Sequence, residues 1–220
     1  MLIKSSPTVD KLVENLGIAA SGEEHLMVTA LDVAGFVYKR MGWVDAWKLE
    51  KLTYFAQAWH LAWDGRALFK DDFEAWQDGP VVPKVHRVNK YDRPREFGIY
   101  GTVLPGANPE ALSAESQRIV EAVLEFYGSM ETQDLIELTH MHSPWIKARG
   151  ELGKHAMSSE TLSIAEMRRC YTAKAMTGGD DVPPPPSLAP VPVAGGDLYQ
   201  SAVDSEIERW SDTLALLAER

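Results

Sequence analysis

The residues in this chain best suited to chemistry are its six histidines, because imidazole binds metals and transfers protons near neutral pH. Zinc sites need ligands at set spacings, and neither His-Glu-x-x-His nor Cys-x-x-Cys occurs. His140 and His142 are a close pair, but residues two apart on a helix point in different directions. They would share a metal only if a helix ended between them; otherwise one packs near Trp145 and the other is exposed. We therefore predict no metal site among His25, His60, His86, His140, His142 and His155.

Nucleophilic catalysis and nucleotide binding find little support either. The one cysteine, Cys170, lies on the apolar face of a candidate helix, and no Gly-x-Ser-x-Gly elbow occurs. No glycine-rich loop stands between a strand and a helix, so no cofactor is predicted. We predict no catalytic residue and no enzyme. One alternative stays open, a small hydrolase-like enzyme whose site is assembled from distant residues such as His60, His140 and Glu74.

The net charge of the 220-residue chain is −10. This acidity argues against a nucleic-acid surface, and hence against a transcriptional autoregulator, because phosphate contacts need clustered Lys and Arg. No stretch approaches the roughly 20 apolar residues that span a bilayer, so no membrane partner is expected. A single cysteine and the lack of an apolar signal segment near Met1 favour a soluble protein in a reducing cytoplasm.

Hydrophobic spacing indicates the helices that must position these side chains. Thr29 and Asp32 resemble a capping box and predict a helix that continues through Tyr38. The longest apolar pattern runs from Trp47 to Trp63, where apolar residues return every three or four positions. This segment is the predicted core helix.

A small β element is predicted after the core helix. The segment 73–76 is short and aromatic, and Asp78-Gly79 is typical of a turn, so a strand or hairpin is indicated. Pro80 and Pro83 are expected in the first turn of the next helix. One face of that helix should carry Val85, Val88 and Tyr91.

Further helices are predicted in the second half of the domain, after a loop with a brief strand around residues 97–103. Two of them should run from Ala114 to Tyr127 and from Thr132 to Met141. In a short third one, Ser143-Pro144 would be a cap followed by a first-position proline. Ser163 with Glu166 resembles another capping box, and the helix that follows should end the globular unit near Met176.

The two ends of the chain differ from this domain. Residues 1–28 are predicted to form an extension with a short helix, and residues 177–197 form a Pro- and Gly-rich linker. Residues 198–220 are predicted to form an amphipathic helix, which either folds back on the domain or binds a partner. Its apolar stripe is Tyr199, Val203, Ile207, Trp210, Leu214 and Leu217.

The predicted fold class is therefore mainly α. A compact multi-helix domain over residues 29–176 carries a small β-strand or hairpin element, and the Pro-rich linker joins it to the C-terminal amphipathic helix. At 220 residues and 45% hydrophobic content, the chain can bury such a core without disulfides or metals.

Several motifs in this order resemble the Panacea family of SocA-like antitoxins. The run from Lys48 to Trp63 (KLEKLTYFAQAWHLAW) is similar to the family's signature helix. Four further pieces agree with the family's order, and the resemblance covers about Thr29 to Met176. These pieces are VAGFVY (33–38), GRALF (65–69), FEAWQDGPVVP (73–83) and THMHSPW (139–145).

The resemblance implies a helical domain that neutralises a toxin by direct protein contact. SocA-like members add a second mode, in which the antitoxin is a proteolytic adaptor that presents its toxin to ClpX of a ClpXP-type protease. Residues 1–28 and 178–220 lie outside the shared motifs. Tryptophans are enriched at binding hot spots, although core packing and a solvated helix face are the ordinary alternatives for these residues. The predicted partner-binding residues are Lys51, Gln57, Trp76, Gly79, Pro80, Trp145, Ile207, Trp210 and Leu214.

Overall fold

The computed structural model describes residues 28–93, 95–96, 99–153 and 156–187. The helices predicted within residues 1–28 and 198–220 lie outside the described residues. Helix α1, Ala30–Met41, begins with the predicted capping box: the Asp32 backbone N–H donates to Thr29 Oγ1, and Thr29 donates its backbone N–H to Asp32 Oδ2 at 2.8 Å. The helix ends at Gly42, whose positive φ of 74° suits a residue without a Cβ.

Helix α2, Ala46–Trp63, is the central element and agrees with the predicted core helix. Its N-cap is Asp45, whose carboxylate accepts the backbone N–H groups of Trp47 and Lys48, both at 3.0 Å. Every residue from Leu49 to Leu61 is buried, so the helix is enclosed on all sides. An apolar stripe with a solvated opposite face therefore does not describe it.

The predicted hairpin is present after α2. Strand β1, Glu74–Trp76, pairs antiparallel with β2, Gly79–Val81, and Trp76 lies opposite Gly79. Pro80 is in β2, so its placement in a first helical turn was wrong. An edge strand of a two-stranded ribbon tolerates its missing N–H.

Helix α3, Pro83–Arg87, begins with Pro83 as predicted and continues into a π-helical turn, Val88–Asp92. Val85 and Val88 are buried, whereas Tyr91 is 68% exposed. Placing Tyr91 on their face was wrong because the wider π-helical turn shifts the angular spacing of the side chains. A second ribbon follows, in which β3, Arg95–Glu96, pairs with β4, Ile99–Tyr100.

After a 3₁₀ turn, Pro109–Ala111, helices α4, Ala114–Tyr127, and α5, Thr132–Met141, have their predicted bounds. Helix α6 is Ser143–Arg149 and α7 is Ile164–Thr177. His142 is the N-cap residue of α6. Ser143 is therefore not the cap, since its hydroxyl donates to Glu166 Oε1 at 2.6 Å. Ser163 caps α7 by accepting the Glu166 backbone N–H.

Aromatic side chains fill the core where α2 meets α4 and α7. The Phe55 and Tyr127 rings stack at 4.1 Å, and Trp59 donates its indole N–H to the Tyr127 hydroxyl at 3.0 Å. Tyr127 in turn donates to the Asp181 backbone carbonyl at 2.7 Å, so the chain beyond Met176 contacts this core. The observed fold confirms a mainly α domain with a small β hairpin.

None of the helices in the described ranges is long and apolar enough to cross a membrane.

Candidate protein-binding site

Lys51 on α2 binds the β1–β2 hairpin to the core helix. Its side chain is fully buried, its ammonium donates to the Pro80 carbonyl at 2.9 Å, and its Nζ lies 5.5 Å from the Trp47 ring centroid. A hydrogen bond from a charged donor contributes about 1.5–3 kcal/mol, and the aromatic ring adds a favourable cation–π contact. The position of the hairpin therefore depends on a residue of the core helix.

Gly79 is the point of closest approach between the hairpin and that lysine. Its φ is +97°, and a Cβ at this position would lie 2.6 Å from Thr139 Oγ1 and 2.7 Å from Lys51 Cε. Both the backbone angle and the lack of space require glycine here.

Glu50 lies next to Lys51 and is also fully buried. Its Oε2 accepts the Val82 backbone N–H at 3.3 Å, and its Oε1 lies 3.9 Å from His86 Nδ1. Neither of those last two atoms has a hydrogen-bond partner among the described residues. Burial raises the pKa of Glu50 and lowers the pKa of Lys51, while burial and nearby lysines lower the pKa of His86.

The hairpin turn, Gln77–Asp78, separates two surface cavities. The first has a volume of about 460 Å³ and lies between the hairpin, the start of α2 and the segment before α7. Two indole rings and two carboxylates contribute to its walls. The lining residues are Trp47, Glu74, Trp76, Gln77, Asp78, Met157, Ser158 and Ser159.

The second cavity, about 610 Å³, lies on the other side of the turn against α5 and α6. The His140 ring stacks on Trp145 at 4.0 Å, and the Trp145 indole N–H donates to the Trp76 carbonyl at 2.9 Å. A side chain of the second cavity is thus hydrogen-bonded to the backbone of a residue that lines the first. The second is lined by Gln77, Asp78, Gln133, Ile136, Glu137, His140, Met141, Trp145, Ile146, Arg149, Gly150 and Leu152.

Large apolar side chains are exposed at both cavities. Met141 is 65% exposed, Ile146 48% and Leu152 44% at the second cavity, and Met157 is 94% exposed at the first. We call the surface formed by the turn, the two cavities and these four residues the hairpin face. Exposed apolar residues that cluster beside cavities are typical of protein-binding surfaces.

The later half of α2 buries two other polar residues. Gln57 donates to the Phe69 carbonyl at 3.0 Å and accepts the backbone N–H groups of Leu68 and Phe69 at 2.8 and 3.3 Å. His60 bonds the Arg66 carbonyl through Nδ1 at 2.7 Å and Ser116 Oγ through Nε2 at 3.1 Å. Burial lowers the pKa of His60, so its ring is neutral near pH 7.

The predicted partner-binding residues occupy different environments. Five are buried, namely Lys51, Gln57, Gly79, Pro80 and Trp145. For the first four, direct contact with a partner remains a prediction that this arrangement does not favour. Trp76 lines the first cavity and Trp145 the second, where both contribute to the hairpin face. The other three, Ile207, Trp210 and Leu214, lie outside the described residues.

The histidine pair also differs from its prediction. His140 packs on Trp145 as expected, but His142 is buried and not exposed. Its Nδ1 lies 2.8 Å from the Tyr171 hydroxyl and its Nε2 3.2 Å from Asp181 Oδ2. The reason is that α5 ends between the two residues, which turns His142 inward. Within the described ranges, no group of three or more His, Cys, Asp and Glu residues could hold a metal.

The three residues of the alternative enzyme site line three different cavities. Glu74 lines the first cavity and His140 the second, whereas His60 lines a third, of about 320 Å³, beside Arg66 and Ser116. The structure does not bring them together into one site.

Sequence reasoning missed residues in the hairpin face and beneath it. Glu50 was not singled out, because a Glu-Lys pair between Leu49 and Leu52 is an ordinary amphipathic pattern that gives no sign of burial. Met157 and Leu152 have no motif, because they reach the face through the tertiary arrangement of α6 and the segment before α7.

Comparisons with known proteins find one family match in this part of the chain. Residues 49–146, from the core helix to α6, match the family described as "Antitoxin SocA-like, Panacea domain". Over 104 residues the chain is 34% identical to the Antitoxin SocA of Caulobacter vibrioides, covering 44% of this chain and 55% of that relative. The chain therefore spans about half the length of this relative. No solved structure matches this chain significantly. Over residues 49–146, this chain is therefore similar to the SocA-like Panacea family of antitoxins.

Proposed function

We propose that this chain is an antitoxin that binds its cognate protein toxin directly through the hairpin face. The observation that carries the proposal is the cluster of exposed apolar residues around the two cavities, within and beside the region that matches the antitoxin family. Burying such residues against a partner contributes about 25 cal/mol per Å² of apolar surface. A monomer gains nothing from leaving them exposed.

The supporting argument for binding rather than catalysis is the division of polar groups. Lys51 and Gln57 on α2 are hydrogen-bonded within the domain. The side chains of His60, His140 and Glu74 line separate cavities. The hydrogen bond from Lys51 to Pro80 fixes the hairpin to α2. A hairpin that is already ordered loses less conformational entropy when a partner binds.

The experiment is co-expression of the full chain with the product of the adjacent reading frame, followed by co-purification and a measured affinity. We expect a stable complex. The partner's half-life is then measured with and without a ClpXP-type protease. An unchanged half-life indicates inhibition by binding, whereas shortening that needs both this chain and the protease indicates a proteolytic adaptor.

Paired variants test whether the hairpin face is the contact surface. Replacing Met141 and Ile146 together by Ser should weaken the complex by about 30-fold or more, the effect expected for removing hot-spot residues. The matched control replaces Tyr91 and Val103 by Ser, since these are similarly exposed but line neither cavity. Equal affinities of both double variants would remove the hairpin face from the interface, and no complex with the wild type would refute the antitoxin proposal.

A further inference from the structure

The first cavity combines two aromatic rings with two carboxylates. Trp47 and Trp76 supply indole rings, and Glu74 and Asp78 supply negative charge. Among the described residues, no Lys, Arg or His side chain lines this cavity. Its volume, about 460 Å³, is that of a formed side-chain or small-ligand site and not of a packing defect.

The aromatic walls are held in place by contacts behind them. The Trp76 indole N–H donates to Glu74 Oε2 at 2.7 Å, which orients both the ring and the carboxylate. The His86 ring packs against both indoles, at 4.9 Å from Trp76 and 5.8 Å from Trp47. With its N–H already bonded, Trp76 offers an incoming group chiefly its π face, which attracts cations.

The charges around the cavity also favour a cation. Lys51, whose Nζ lies 5.5 Å from the Trp47 ring centroid, is already bonded to Pro80 and interacts electrostatically with Glu50 and Asp78. His86, which contacts both rings, has its pKa lowered by burial and is neutral near pH 7. The chain as a whole carries a net charge of −10, which attracts basic partners over a longer range.

We propose that the first cavity binds an arginine side chain of the protein partner, stacked on the Trp47 and Trp76 rings and paired with Glu74 or Asp78. This inference rests on the proposed function, because the arginine is presented by the toxin. Arginine fits better than lysine because its planar guanidinium stacks on indole and presents a fork of donors to a carboxylate. Lysine, a compact and strongly hydrated charge, would use the rings less well.

The test titrates the full chain with Nα-acetyl-arginine amide, up to about 50 mM, since one isolated side chain binds weakly. Binding is followed by the indole N–H signals of the 15N-labelled protein, assigned by Trp-to-Phe variants. We expect saturable shifts of the Trp47 and Trp76 signals and none for Trp43. Nα-acetyl-citrulline amide, similar in shape but neutral, should cause no saturable shift, and the lysine analogue a weaker one.

Two variants test the role of charge. Glu74→Gln keeps an oxygen acceptor for the Trp76 indole N–H but removes the negative charge, so arginine affinity should fall about five- to tenfold. Glu137→Gln, in the second cavity, should leave it unchanged. Equal binding of citrulline, tighter binding of lysine, no shift at all, or an unaffected Glu74→Gln variant would overturn the proposal.

The outcome separates this inference from the proposed function. A toxin complex that forms without any arginine response of the cavity would refute the inference alone. An arginine response without a toxin complex would refute the antitoxin role while retaining the cation site, and the inference would then lose only its presenting protein.

Discussion

The two halves of helix α2 bury polar residues in opposite ways. In the later half, Gln57 makes three hydrogen bonds to the backbone of residues 68 and 69, and both nitrogens of His60 are bonded. In the earlier half, Glu50 has one hydrogen bond of 3.3 Å, and its second oxygen has none among the described residues. Lys51 beside it has a bond of good length to Pro80.

The difference indicates what each half does. Neutral groups that are fully hydrogen-bonded stabilise a fixed connection, here the loop after α2. Buried ionisable groups with incomplete partners cost stability, and proteins tolerate that cost mainly where it serves a site. The earlier half of α2, whose hydrogen bonds are incomplete, lies directly under the hairpin face. The later half, whose hydrogen bonds are complete, lies away from it.

The largest expected effect on stability comes from removing the hydrogen bonds of the later half of α2. Gln57→Leu keeps the approximate volume but leaves the Leu68 and Phe69 N–H groups and the Phe69 carbonyl without their partners. Each unsatisfied buried group costs about 1–3 kcal/mol, so we expect a loss of about 3–5 kcal/mol in the free energy of unfolding. Urea denaturation followed by circular dichroism measures it.

The control is Gln133→Leu on the exposed face of α5, where Gln133 donates to Glu137 Oε1 at 3.1 Å. It should change the free energy of unfolding by less than about 0.5 kcal/mol. A Gln57→Leu protein as stable as this control would show that the hydrogen bonds of the later half contribute nothing net.

Much of the fold could be predicted from the sequence because its signals are local. The capping box at Thr29 and Asp32, and the bounds of α4 and α5, depend on residues within a few positions of each other. The hairpin was predicted from its aromatic strand and turn residues. Pro80 was misplaced because a proline suits both a first helical turn and an edge strand, and only the pairing with Ala75 decides between them.

The candidate site could be predicted only in part, since its key features depend on tertiary contacts. Trp76 and Trp145 were identified by residue type. The burial of Lys51 and Gln57 could not be, because an amphipathic pattern does not show that the hairpin and the loop 68–69 cover the polar positions of α2. His142 was misjudged for a similar reason: its partners, Tyr171 and Asp181, are 29 and 39 residues away.

A second prediction tests the contact between the earlier half and the hairpin. Gly79→Ala places a Cβ against Thr139 Oγ1 and Lys51 Cε at a backbone φ of +97°. The lysine must shift away from Pro80, so we expect a loss of about 2–4 kcal/mol in the free energy of unfolding. Thermal denaturation should show a lower Tm, and the toxin complex should weaken because the hairpin face moves.

The matched control is Gly150→Ala, where φ is +52° and no atom lies within 4 Å of the added Cβ. It incurs only the backbone strain, about 1 kcal/mol. If both variants lost the same stability, the close approach of Lys51 to the hairpin would have no energetic role.

The smallest expected effect concerns Glu50 and depends on pH. Burial raises the pKa of this carboxyl, so folding favours its protonated form, and its contribution to stability is present at low pH and lost as the pH rises through the folded pKa. Glu50→Gln imitates the protonated form. The variant should match the wild type near pH 5 and exceed its free energy of unfolding by about 1 kcal/mol near pH 9, as measured by urea denaturation across this range.

Glu166→Gln is the control and should show a stability difference of the opposite sign. Arg169 and Lys147 lower the pKa of the Glu166 carboxyl to about 2, so the wild type should be more stable than this variant above pH 5 and lose that advantage on acidification. A Glu50→Gln protein whose advantage is independent of pH would mean that the carboxyl keeps its ordinary pKa in the fold. The earlier half of α2 would then be as well satisfied as the later half, and the contrast between them would fail.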